Sequence, residues 1–122
     1  RVVNIASAAA FCPQPSFAVY AATKSYVLSF SRALRAELED REIYVTAVCP
    51  GPAKTEFFDI AGMSANILKK MTMAQPEKVV KQALIDAKNR KEISVYGGAM
   101  KGARVLTKII PHKIAVEVMK QF

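Results

Sequence analysis

At 122 residues, with 52% hydrophobic and 23% charged positions, the chain has the size and make-up of one globular domain rather than two. No apolar run approaches the roughly 18 unbroken residues of a membrane span, and no charged-then-apolar leader opens the sequence. The net charge of +8 is dispersed, as at Lys88, Lys101, Lys108 and Lys120, without interleaved aromatics; this argues against a nucleic-acid surface and for mild attraction of a phosphate-bearing cofactor.

Val2-Val3-Asn4-Ile5-Ala6 is a short apolar run that predicts a buried strand. The chain opens on Arg1 rather than Met, which places the expected start of the polypeptide upstream. Residues 7–16, with Pro13 and Pro15, read as loop. A long helix is expected from about Ser16 to Asp40, since Val27, Phe30, Leu34 and Leu38 recur at helical spacing. Val27, Phe30 and Leu34 are candidates for the sheet side and Tyr26 or Leu38 for a partner, a division that the spacing leaves open. Tyr44 to Cys49 is β-branched and apolar, a second buried strand stopped by Pro50-Gly51-Pro52. An irregular stretch from Ala53 to about Gln75 follows, with a short helix expected near Ser64 to Met71. Pro76 suits the first turn of another helix, with Val79, Val80, Ala83, Leu84 and Ala87 on its buried face. Ile93 to Tyr96 is a third strand, and Met100 to Phe122 reads as two short amphipathic helices divided at Pro111.

Strand, long helix, strand, helix, strand is the order of an α/β parallel sheet. Three strands make only part of a doubly wound, Rossmann-like fold. Cys12 and Cys49 have no metal-ligand or redox spacing; Cys49 reads as a small core residue. Unpaired cysteines with no secretion signal favour a reducing cytoplasm. Lone His112, after Pro111, reads as a solvated or capping residue.

Tyr20 and Lys24 stand four positions apart at the start of the long helix, so their side chains project from one face. An ammonium beside a phenol favours the ionised phenol and makes Tyr20 a workable general acid–base. Ser7 leaves the first strand at its C-terminal end, where α/β sheets place their sites, and its hydroxyl can bond a carbonyl oxygen. Each feature alone is weak, because Tyr-x-x-x-Lys pairs are common on solvated helices and serines are common in turns.

Together, Val3-Asn4-Ile5-Ala6-Ser7, Tyr20-Ala21-Ala22-Thr23-Lys24 and Cys49-Pro50-Gly51-Pro52-Ala53-Lys54-Thr55 resemble three successive signatures of the short-chain dehydrogenase/reductase family, over at least residues 1–96. The resemblance implies roles by position. Ser7 matches the serine that orients the substrate oxygen, Tyr20 the proton donor, and Lys24 the lysine that holds the nicotinamide ribose. Pro50 and Gly51 match the turn against the nicotinamide, and Thr55 a residue contacting its carboxamide or a phosphate. The implied cofactor is NAD(P), with NADP slightly favoured, and the implied substrate is a small carbonyl or alcohol.

Ala6 replaces the commoner serine before Ser7. The family's Gly-rich turn, its helix asparagine and its residue selecting NAD or NADP are not in the sequence and are expected upstream of Arg1. The chain alone is therefore expected to be inactive. Residues 53–75 occupy the family's variable substrate region, where Phe57, Phe58 and Met63 suggest an apolar pocket wall. The long helix is a dimerisation element in the resembled family, so a homo-oligomer is expected. Two rival readings stay open: a non-catalytic packing or dimerising piece, and a membrane-surface protein driven by the basic, apolar tail, with packing of that tail preferred.

Overall fold

The structure, a computed structural model, describes residues 1–51 and 75–120. It is α/β, with three parallel strands in the order β1-β2-β3: β1 is Val2–Ile5, β2 Val45–Val48 and β3 Ile93–Ser94. Val2 pairs with Val45 and Ile5 with Val48, and Val48 in turn pairs with Ser94. The helices are α1 (Ala18–Leu38), α2 (Pro76–Lys88), α3 (Gly98–Ile109) and α4 (His112–Met119). Ala8–Phe11 forms a short 3-10 turn between β1 and α1.

All four residues of β2 are buried, as a central strand covered on both faces should be. One face holds Ala6, Ala47, Cys49, Ile93 and Val95, with Leu28 of α1 packed on them. Ser94 lies on the opposite face by strand alternation, and Asp86 of α2 reaches it there. The two helices thus flank the sheet. On the edge strand β1, Val3 and Ile5 remain 40% and 58% exposed.

The elements fall close to their expected places, with informative departures. α1 begins at Ala18 rather than Ser16, because Ser16 takes a left-handed φ of 72° that redirects the chain after Pro15. Its buried stripe is Ala21, Leu28 and Ser31, with Val27 partly buried against the core. Phe30, one of the candidates for the sheet side, is 48% exposed and stacks on Tyr26 at 6.1 Å between ring centroids. In α2, Val80 and Leu84 also turn outward, because the helix presents Val79, Ala83, Asp86 and Ala87 to the sheet. That rotation lets the buried Asp86 accept from Ser94 Oγ at 2.7 Å and Gln82 Nε2 at 2.9 Å. The tail divides at Pro111 as expected, into α3 and α4. Its apolar residues divide: Ala115 is buried, whereas Ile109, Ile114 and Val118 are 73%, 54% and 53% exposed.

Candidate active site

The strand ends set the site. Beyond β1 the pairing continues: the Ala6 amide donates to Val48 O at 2.7 Å and the Ala8 amide to Pro50 O at 2.9 Å. Ser7, between them, is therefore held beside Cys49 at the C-terminal edge of the sheet. It is buried, and it caps the 3-10 turn by accepting the Ala9 amide on Oγ at 3.1 Å. A hydroxyl that accepts in this way keeps its own proton to donate.

Tyr20 and Lys24 come from the first two turns of α1, and both are half-buried. The Lys24 ammonium lies 5.7 Å from the centroid of the Tyr20 ring and donates to Ile5 O at 3.4 Å. One cation thus touches the aromatic ring of the helix and the carbonyl two residues before Ser7. The Tyr20 ring also meets Phe17 edge to face, with centroids 6.4 Å apart. Thr23 Oγ1 donates to Tyr20 O at 2.7 Å and steadies the turn between the two side chains.

The Pro50–Gly51 turn borders the same edge. Gly51 has a specific reason to lack a side chain: a Cβ there would overlap Sδ and Cγ of Met100. Met100 belongs to α3, which packs against the 3-10 turn after Ser7. Cys49 is fully buried beside Ser7, whose amide points at the thiol. Burial pushes that thiol up to about 11, offset in part by Arg104, Arg32 and the Ser7 amide. Thr55, Phe57, Phe58 and Met63 lie outside the described residues, as does the expected helix at residues 64–71.

A cavity of about 460 Å³ opens between residues 10–25 and α4, with Phe11, Pro13, Pro15, Ala22, His112 and Val116 in its wall. Ser7, Tyr20 and Lys24 do not line it. His112 is exposed at the start of α4, in keeping with a solvated role. Among the described residues no cluster of metal-ligating side chains is present, and no helix is long and apolar enough to cross a membrane.

Met100 and Arg104 were not singled out by their sequence context. Their signal is the i,i+4 spacing on the inner side of α3, next to a glycine that leaves room for a side chain.

A family model described as short chain dehydrogenase matches residues 1–64. A sulfoacetaldehyde reductase of Chromohalobacter salexigens is 43% identical over 56 residues, 46% of this chain and 22% of that protein. A diacetyl reductase, (S)-acetoin forming, of Staphylococcus epidermidis is 41% identical over 59 residues, 48% of this chain and 23% of that protein. Among solved structures, a short-chain dehydrogenase from Sphingobium yanoikuyae in complex with NADPH superposes with a TM-score of 0.71 at 32% identity. That superposition covers 89% of this chain and 45% of the solved one. The chain therefore spans less than half the length of the solved chain, and its match to each curated relative spans less than a quarter.

Proposed function

The chain belongs to the short-chain dehydrogenase family, and from that premise we propose that it carries the proton-transfer half of an NAD(P)-dependent carbonyl reductase or alcohol dehydrogenase. The observation that carries the proposal is the position of Lys24. Its ammonium is held between the Tyr20 ring and the Ile5 carbonyl, at the strand end that also presents Ser7.

The residues present fit a nicotinamide dinucleotide. Lys24 spends one donor on Ile5 O and keeps two for the hydroxyls of a ribose. Pro50 and Gly51 lie on the same edge, where Pro50 O accepts the Ala8 amide. The bound cofactor supplies or accepts the hydride. In reduction, Ser7 donates its hydroxyl proton in a hydrogen bond to the substrate oxygen, with its own oxygen anchored on the Ala9 amide. Tyr20 delivers a proton to that oxygen as negative charge develops there. Lys24 opposes the charge left on the phenolate through the ring face it covers. In oxidation the same groups run the proton in reverse.

In this reading residues 1–122 are the C-terminal catalytic half of one domain, with residues 53–75 as the substrate loop and the tail from about residue 100 as a helical cover. Thr55 would bind cofactor, and Phe57, Phe58 and Met63 substrate. NADP is favoured, in line with the NADPH held by the solved relative. The exposed Tyr26–Phe30 stack on α1 supports a homo-oligomer.

Tyr20→Phe in the full-length protein is the test. The variant keeps the ring contacts to Phe17 and Lys24 but lacks the proton donor, so turnover should vanish while cofactor binding persists. Retained turnover would refute the assignment.

A further inference from the structure

Arg104 sits one turn beyond Met100 on the side of α3 that faces the sheet edge. It is half-buried, and its Nε is enclosed without a hydrogen-bond partner. The other arginines packed about the sheet are matched. Arg32 pairs with Glu92 at 3.0 Å, Arg35 donates to Val45 O and Arg90 O, and Arg90 lies 4.5 Å from the Tyr44 ring centroid. Arg104 has no such ion pair or acceptor among the described residues.

Its position is as telling as its lack of a partner. Met100 on the same side of α3 seats against Gly51, and α3 packs on the turn that follows Ser7. The charge of Arg104 is felt at Cys49, the residue that receives the Ser7 amide. A cation thus stands behind the strand ends that present Ser7 and Gly51. An enclosed N–H without an acceptor is costly, and a guanidinium edge matches an oxyanion in a two-bond fork.

We propose that Arg104 is an anion-recognition residue that binds a carboxylate, sulfonate or phosphate group carried by the ligand of the Ser7–Tyr20–Lys24 site. The proposal rests on the oxidoreductase reading above for the identity of that ligand. The anion belongs either to an acidic substrate or to a phosphate of the cofactor; the chemistry at Arg104 is the same.

The test compares wild type, Arg104→Met and Arg104→Lys in the full-length protein. Steady-state kinetics with succinic semialdehyde and with butanal give the substrate arm, and NADPH and NADH dissociation constants give the cofactor arm. Calorimetry with succinate and with inorganic pyrophosphate reads anion binding without turnover. If the anion is on the substrate, Arg104→Met raises KM for succinic semialdehyde about tenfold to a hundredfold. It then leaves butanal and both dissociation constants unchanged, and Arg104→Lys recovers part of the loss. If the anion is on the cofactor, the dissociation constants rise by that factor and both aldehydes suffer alike.

Unchanged kinetics, cofactor affinity and anion binding in Arg104→Met would overturn the proposal, as would a loss of thermal stability with no ligand-specific change. Should wild type reduce no carbonyl while anion binding still depends on Arg104, the oxidoreductase reading fails and the anion site stands.

Discussion

Ser7 has two jobs in the proposed site, and a pair of substitutions separates them. Its oxygen accepts the Ala9 amide at 3.1 Å, which caps the 3-10 turn, and its proton is left for the substrate. Ser7→Ala removes both. Losing a capping oxygen costs about 1 kcal/mol of stability, whereas glycine at such a position costs only a few tenths. Losing one donor to a developing oxyanion costs about 3 kcal/mol of activation free energy, roughly a hundredfold to a thousandfold in kcat. Ser7→Ala should therefore fall in both stability and kcat, and Ser7→Gly should match it in kcat while keeping most of the stability. Urea unfolding and steady-state kinetics on the full-length protein read the two quantities separately. If Ser7→Gly retains near-native kcat, the hydroxyl serves only the turn and the catalytic role of Ser7 is wrong.

Asp86→Ala should destabilise the protein by about 1–3 kcal/mol, because it strands the buried Ser94 hydroxyl. Gln82 and the exposed Lys91, its other partners, can turn to solvent and add little. Denaturant unfolding checks this, and adding Ser94→Ala should return part of the loss. Cys49 predicts an alkaline effect. Its thiol, raised from 9.0 to about 11 by burial, stays protonated in the fold while the unfolded chain ionises. Stability should be fully present below about pH 9 and fall by on the order of 2 kcal/mol as pH rises to about 11. The decline should flatten in Cys49→Ala; an unchanged slope in unfolding free energy against pH would show that another group is responsible.

Much of this was legible in the sequence, for local reasons. Tyr20 and Lys24 share a helix face by spacing alone, and Ser7 follows an apolar run whose length suits a strand. Pro111 splits the tail because its ring cannot continue a helix. What failed was the choice of face. In α2, Val79 and Val80 are equally apolar, and the outcome turns on a hydrogen bond between Asp86 and Ser94 that no periodicity reveals. In α3 the pattern is inverted relative to simple burial. Val105 and Leu106 are 54% and 55% exposed, while Arg104 and Thr107 turn inward. The cause is again tertiary: a bare Gly51 admits Met100, which fixes the rotation of the whole helix.

Strand register also holds the proposed site rigid. The register of β1 on β2, carried past the strand ends by Ala6 on Val48 and Ala8 on Pro50, places Ser7 beside Cys49. A slip of one residue would exchange the two faces of β1 and remove Asn4 from Ser31, to which its side-chain amide donates at 3.0 Å. Arg35 ties α1 to the Val45 carbonyl at 2.8 Å, and Lys24 ties it to the Ile5 carbonyl. Both anchors end on backbone oxygens of paired strands. No side-chain substitution removes such an acceptor, so Lys24 keeps its distance from Tyr20 as long as the register holds. In the proposed catalytic pair, Lys24 is therefore positioned by the sheet, and Tyr20 by its neighbours Phe17 and Thr23 in α1.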